Sequence, residues 1–138
     1  MKLLLTSLAL SALLCGAASA NPTDARSAVS GTVAQRAALA QESADANPLL
    51  RTYYAVVSDG VLTPALKVCG KKSLSAVKSM RIVAAVTSRG APVAVQVEPP
   101  SPFGKCLVKQ LSQQTWPSPG PLGGSALQPM SFELRAAN

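Results

Sequence analysis

The stretch MRIVAAVTSRGAPVAVQVE, residues 80–98, decides the fold. Its first half is apolar and β-branched. Its second half alternates Val93, Val95 and Val97 with smaller or polar residues, a period typical of a half-buried strand. Between the two halves, the segment SRGAP supplies Gly90 for a turn. The pattern predicts a β-hairpin with strands near residues 80–88 and 93–98 and with one face buried.

The residues before the hairpin predict a broken helix. Asn47 and Pro48 form a common helix start, in which a capping residue precedes a proline at the first helical position. One helical face then carries four apolar residues: Leu50, Tyr53, Tyr54 and Val57. The segment SDG interrupts this face, and a second start at Thr63 and Pro64 leads to Gly70, a residue typical of helix ends. The prediction is one interrupted helix or two short ones.

The residues after the hairpin predict another helix and a third strand. Ser101 is the expected cap of this helix, Pro102 its first residue, and Trp116 with the following proline its end. Residues 127–134 form the last strand, which Pro129 restricts to a sheet edge or to its first residues. The fold class is therefore α+β, with a small three-stranded antiparallel sheet and two helices packed on one face.

The first twenty residues have the composition of a cleavable signal peptide. Lys2 gives a short positive region, residues 3–14 form an apolar run, and Ala18 and Ala20 flank a small-residue cleavage site. The run of about a dozen apolar residues is shorter than the roughly 20 that a membrane-spanning helix needs. We expect a periplasmic or secreted protein without stable membrane insertion after cleavage. A retained anchor and lipidation at Cys15 are the alternatives.

Cleavage would leave one small domain with an N-terminal extension. Residues 21–46 are rich in Ala, Ser and Gln. Their helix propensity is good, but the apolar face that they would form is mostly alanine. Because such a face buries little area, we expect a flexible or marginally helical lead-in over residues 21–46 and a single α+β domain over residues 47–138.

Two cysteines, Cys69 and Cys106, remain after cleavage. An even number in an exported chain predicts a disulfide, because the compartments outside the cytoplasm are oxidising. A bond across this separation would stabilise the fold by about 4 kcal/mol on the chain-entropy model. A reactive or redox-sensing pair is the alternative, since Lys71 and Lys72 would make the surroundings of Cys69 electropositive.

The order of elements resembles the C-terminal domain family of TonB, especially its shorter cysteine-containing members. The resemblance covers residues 62–134. It rests on a cysteine in each helix, on Gly90 in the hairpin turn, on the Trp-Pro corner at Trp116 and on the closing stretch PMSFEL. It implies a sheet with an exposed edge that pairs with an extended peptide. The chain shows neither the uncleaved membrane helix nor the long Pro-rich spacer of TonB, so we do not expect proton-motive energy transduction.

The residue types exclude most hydrolytic and metal chemistry. The chain contains no histidine, which rules out Ser/His/Asp triads, Cys/His dyads and most zinc sites. Its few acidic residues leave only distant candidates for a carboxylate pair, such as Asp59 with Glu98. The segment VCGKKS fails the phosphate-loop pattern. We therefore predict no catalytic, metal or cofactor-binding residues, no cofactor and no enzymatic activity.

Two surfaces are candidates for partner binding. The first is the edge of the last strand, where Ser131 and Glu133 are expected to face outward while Phe132 and Leu134 face the core. The second is a basic stretch without interleaved aromatic residues: Lys67, Lys71, Lys72, Lys78 and Arg81. A solvated charged face is the simpler interpretation of that stretch.

These surfaces predict a non-enzymatic interaction module of the cell envelope. It would bind a protein or peptide, and no nucleic acid, through strand addition at a sheet edge. The alternative is a small basic protein that binds an anionic envelope component or inhibits an acidic partner. Its formal charge of +7 would fall to +6 when Lys2 is removed with the signal segment.

Overall fold

The computed structural model describes residues 22–70, 77–120 and 127–137. The predicted signal segment, residues 1–20, lies outside these ranges, and so do Lys71 and Lys72. The elements are, in chain order, α1 (Pro22–Val29), α2 (Val33–Ala46), α3 (Leu49–Val57), a π-helical turn (Ser58–Leu62), α4 (Thr63–Cys69), β1 (Ser79–Thr87), β2 (Pro92–Glu98), α5 (Pro102–Gln113) and β3 (Leu127–Arg135).

The three strands form one antiparallel sheet in the order β2-β1-β3. The predicted hairpin is confirmed, because β1 pairs with β2 around a turn in which Gly90 has a φ of 83°. The third strand returns to the other side of β1, in a register that runs from Ser79 opposite Arg135 to Thr87 opposite Leu127. The predicted α+β class with a three-stranded antiparallel sheet is therefore confirmed.

Alternate residues of β1 build the main core. Its buried side chains Met80, Ile82, Ala84 and Val86 belong to one cluster with α3, the π-helical turn, α4 and α5. From α5 come Phe103, Leu107 and Leu111, whose spacing of four residues places them on one helical face. Fully burying a large apolar side chain contributes about 1.5–3 kcal/mol. This layer therefore holds the hairpin against the helices.

A π-helical turn connects α3 to α4 where the sequence predicts an interruption. The backbone stays helical through Ser58–Leu62, and the Thr63 hydroxyl donates to the Ser58 carbonyl oxygen at 3.0 Å. The helix ends at Gly70, whose φ is 82° and whose N–H donates to the Leu66 carbonyl oxygen at 3.0 Å. The predicted break is thus a local widening of one helical path.

The lead-in segment is helical and covers the second face of the sheet. Helices α1 and α2 pack against β3 and β1. Ala28, Ala40, Val83 and Ala85 are buried between these layers. The structure thus adds a helical layer to the predicted helices on one face. This packing could not be predicted from the sequence pattern, because an alanine face has little apolar area yet lets a helix backbone lie close to a sheet.

A β-bulge interrupts the hairpin. Val83 is opposite Gln96, but Ala85 is opposite Val93, so β2 contains one additional residue between these pairs. The neighbouring Ala94 has a φ of 51°, which is uncommon for a residue with a side chain. The bulge changes the alternation along β2. Val95 and Val97 pack against the main core, as predicted, whereas Val93 pairs with a residue on the other face.

Candidate functional site

Arg36 connects the α1–α2 pair to the bulge in β2. Its side chain is 2% exposed. The Nε group donates to the Ala28 carbonyl oxygen at 3.1 Å, and Nη1 donates to the Ala94 carbonyl oxygen at 2.6 Å and to Oε1 of Gln96 at 3.0 Å. Within the described ranges, Nη2 has no hydrogen-bond partner. Burial lowers the pKa of Arg36, but a guanidinium stays charged at neutral pH.

The predicted edge on β3 is partly occupied by the chain itself. The Ser131 backbone N–H points away from β1 and donates to the hydroxyl oxygen of Tyr54 at 3.2 Å. Pro129 has no N–H, and Glu133 forms an exposed ion pair with Arg135 at 3.0 Å. Proline and charged side chains are features that protect sheet edges from further pairing. The β3 edge is therefore a poor acceptor for another strand.

Three predicted partner-binding residues are close together on the α2 side of the sheet. Ser131, Glu133 and Arg81 line a groove of about 630 Å³ between α2 and β3, together with Tyr54 and Arg51. Burial raises the pKa of Tyr54, and the hydrogen bond from Ser131 opposes this effect. The groove has positive and negative side chains along its walls, so it has no single preference for charge.

The described members of the predicted basic stretch, Lys67, Lys78 and Arg81, lie on different elements and do not form one patch. Lys78 precedes β1, and its carbonyl oxygen accepts a hydrogen bond of 2.8 Å from the Ala136 N–H. Arg81 lies opposite Glu98 on one neighbouring strand and opposite Glu133 on the other. Cross-strand pairs of opposite charge stabilise a sheet. Arg81 is thus balanced by carboxylates within the sheet, and Lys67 is exposed on α4.

The outer edge of β2 is open where Val95 and Val97 lie. In an antiparallel pair, successive residues direct their N–H and C=O groups alternately toward and away from the partner strand. The Ser131 N–H faces away from β1, so Ser131 and the opposite residue Val83 do not hydrogen-bond to each other. Val83 therefore directs its own N–H and C=O groups to the other neighbour, Gln96 on β2. The Val95 carbonyl group and the Val97 main-chain groups, on either side of Gln96, therefore point away from β1.

This edge forms the floor of an elongated depression, which we call the β2 trench. Residues 95–98 form the floor, the α1–α2 turn at residues 31–33 forms one wall, and Val108 of α5 forms the other. Pro100 also lines the depression, whose volume is about 540 Å³. Half-buried valines supply apolar surface to the floor and to the α5 wall. The arrangement combines outward-facing main-chain groups with valine side chains on its walls.

The β2 trench was not predicted, although the sequence contains one signal for it. Pro92 begins β2, and Pro99 and Pro100 follow it directly. Prolines at both ends of a strand are typical of an edge strand, because a proline cannot donate to a ladder on either side. The position of α5 beside this edge could not be predicted from the pattern.

The predicted disulfide is present. Cys69 at the end of α4 is bonded to Cys106 in α5, with a Cα–Cα distance of 5.8 Å. The bond joins two helices of the same layer, as predicted. It also fixes the position of α5, which carries one wall of the β2 trench.

Comparison of the chain with protein-family models, with curated protein sequences and with solved structures gives no match. Among the described residues, no helix is long and apolar enough to cross a membrane. In the same ranges, no group of three or more cysteine, aspartate or glutamate side chains is placed to hold a metal ion.

Proposed function

We propose that the protein is an exported, non-enzymatic interaction module that binds an extended segment of another protein by strand addition at β2. The observation that carries the proposal is the outer edge of β2 at the floor of the β2 trench, where the pairing with β1 directs the Val95 carbonyl group and the Val97 main-chain groups outward. Strand addition takes its affinity from main-chain hydrogen bonds and its specificity from pockets for alternate side chains. The trench provides both.

Two observations support the exported location. The Cys69–Cys106 disulfide is typical of proteins that mature in an oxidising compartment. The first twenty residues have the pattern of a signal peptide. A periplasmic or secreted protein of the envelope is therefore the form in which we propose that the module acts.

A pair of proline substitutions tests the proposed edge. Val97→Pro removes an outward N–H from β2, and Glu133→Pro removes an outward N–H from β3 without touching the trench. Peptides would first be selected from a phage library of random heptapeptides with the immobilised mature chain. We expect Val97→Pro to abolish their binding and Glu133→Pro to preserve it, with circular dichroism showing that both variants fold. The reverse result would assign binding to β3, as the sequence alone predicted.

The excess of positive charge in the sequence supports a second candidate function. Between Asp59 and Glu133 the single acidic residue is Glu98, against eight cations: Lys67, Lys71, Lys72, Lys78, Arg81, Arg89, Lys105 and Lys109. This excess supports binding to an anionic envelope component or to an acidic partner. Retention on anionic lipid vesicles should then weaken steeply as salt is added, because mobile ions screen exposed charges. Strand addition in an apolar trench should persist in the same salt.

We further propose a relationship to the C-terminal domain family of TonB. Its support is the order helix, strand, strand, helix, strand from α4 to β3, together with a cysteine in each of the two helices. In this protein the β3 edge is protected by Tyr54, so the proposed binding edge is on the opposite side of the sheet.

A further inference from the structure

A small pocket opens from the β2 trench beneath α5. It has a volume of about 210 Å³, and it shares Val97, Pro100 and Val108 with the trench. Gly104 lies one helical turn before Val108 and lines the same pocket. A Cβ atom at Gly104 would lie 3.1 Å from Cγ1 of Val97. The absence of a side chain at Gly104 therefore lets α5 lie close to Val97 of β2, where the two elements form the walls of the pocket.

The sheet geometry directs one side chain of an added strand into this pocket. Residues directly opposite each other in neighbouring strands project their side chains to the same face of the sheet. Val97 projects toward the α5 side, where it packs against the main core. A residue paired with Val97 would thus project over Val108 and Gly104. Since an apolar cavity of about 150 Å³ can hold a benzene molecule, the pocket can hold a branched aliphatic or single-ring side chain.

The rim of the pocket is positively charged. Lys105 lines it, and Lys109 follows one turn later on the same exposed face of α5. The sequence of α5, PFGKCLVKQLSQ, contains no acidic residue. Neither lysine forms an ion pair with another residue in the described part of the chain. An acidic residue on the bound segment would therefore lie near these two lysines and be attracted to them.

We propose that this pocket selects the bound segment, and that its ligand is an extended peptide with a branched aliphatic or single-ring side chain opposite Val97 and an acidic residue beside it. The proposal rests on strand addition at β2 and adds the class of peptide that binds there. The main-chain groups of Val97 hold the peptide, Val108 and Gly104 accept its apolar side chain, and Lys105 attracts its carboxylate.

Selection from the phage library of random heptapeptides tests this preference directly. The wild-type chain should enrich peptides with the proposed apolar-acidic pair. Val108→Phe fills the pocket, and it should weaken the selected peptide about tenfold while leaving its alanine-substituted version unchanged. Val108→Ala enlarges the pocket without adding atoms, and it should shift the preference to larger side chains. Val68→Phe on α4, at an exposed valine, is the matched control and should change nothing.

A charge reversal tests the acidic preference separately. Lys105→Glu should weaken the selected peptide about threefold at low salt and favour a peptide with lysine in place of its acidic residue. Lys67→Glu, at an exposed lysine of α4, should have no such effect.

The results that would overturn the pocket proposal differ from those that would overturn strand addition. If peptides bind and Val97→Pro abolishes binding, but Val108→Phe leaves the preference unchanged, the pocket proposal is overturned alone. If the library yields no binding peptide, both proposals are overturned.

Discussion

The carbonyl oxygen of Gly90 accepts a hydrogen bond of 2.8 Å from the Trp116 backbone N–H, which connects the hairpin turn to the corner after α5. The Trp116 side chain is buried beneath this corner, and its Nε1 donates to the Leu111 carbonyl oxygen at 3.0 Å. Its ring also meets that of Phe132 edge-on, with 6.4 Å between centroids. The corner at Trp116 thus joins α5, the hairpin and β3.

The Gly90 backbone has no room for a side chain. A Cβ atom there would lie 2.0 Å from the Trp116 carbonyl oxygen, and the φ of 83° is itself unfavourable for other residues. We expect Gly90→Ala to lower the free energy of unfolding by about 3 kcal/mol in urea titrations. Gly70→Ala is the matched control, because its φ is 82° but nothing lies within 4 Å. It should cost only about 1 kcal/mol, and equal losses would refute the contact argument.

Removing the disulfide should destabilise the domain strongly. The bond closes a loop with a sequence separation of 37, so the double variant Cys69→Ala, Cys106→Ala should lose about 4 kcal/mol of unfolding free energy. Added reductant should shift the urea transition of the wild type to that of the variant and leave the variant unchanged. Thiol titration of the exported, unfolded wild type should detect no free thiol. Two free thiols would contradict this prediction.

The stability of the fold should decrease at alkaline pH because of Tyr53. Burial, with a smaller effect of the neighbouring Tyr54, raises the pKa of Tyr53 to about 12. The folded protein therefore holds this proton more tightly than the unfolded chain does. The resulting stability is complete below the unfolded pKa of about 10 and is lost as the pH rises through about 12.

The variant Tyr53→Phe separates this effect from other alkaline changes. At neutral pH it should lose about 1 kcal/mol, because the Tyr53 hydroxyl donates to the Pro117 carbonyl oxygen at 2.8 Å. Urea unfolding at about pH 8 and at about pH 11 should then show a smaller loss of stability with pH in the variant than in the wild type. An identical loss in both proteins would assign the effect to other groups.

Arg36 should control how firmly the α1–α2 pair is held on the sheet. Arg36→Ala removes three hydrogen bonds and leaves the Ala94 carbonyl oxygen without its donor. We expect amide hydrogen exchange in α2 to accelerate about 30-fold, equivalent to about 2 kcal/mol, while β1 keeps its protection. Arg26→Ala, at an exposed arginine of α1, is the control. Uniform acceleration across the whole chain would show that the helix pair does not open separately.

The hairpin and the cap of α5 could be predicted from the sequence because each depends on local chemistry, whereas the helix start predicted at Thr63 is wrong, since Thr63 lies within a continuous helical path. Alternating valines and Gly90 define the hairpin, and the Ser101 hydroxyl caps α5 by accepting from the Gly104 N–H at 2.9 Å. The packing of α2 could not be predicted in the same way. It depends on alanines and on the buried Arg36, a residue type that usually indicates a solvated face. Amphipathic patterns do not show such packing.

The candidate site was only partly predictable for a related reason. The sequence pattern identified one of the two edge strands, since β3 with Pro129 does lie at an edge. Whether an edge is open depends on distant residues, and the Tyr54 hydroxyl reaches Ser131 across 77 positions of the chain. The bulge at Ala94 had no glycine to mark it. Contacts of this kind follow from the assembled layers and not from any single segment.

The π-helical turn between α3 and α4 determines which way the side chains of α4 point relative to those of α3. A π-helical turn holds an additional residue relative to an α-helical one, and each α-helical residue rotates the chain by about 100°. Deleting the exposed Gly60 would restore regular winding and rotate α4 by about that angle relative to α3. Ala65 would then leave the core, and Cys69 would point away from Cys106. The additional residue is therefore required to bring Cys69 opposite Cys106, and a chain without it should not form the disulfide.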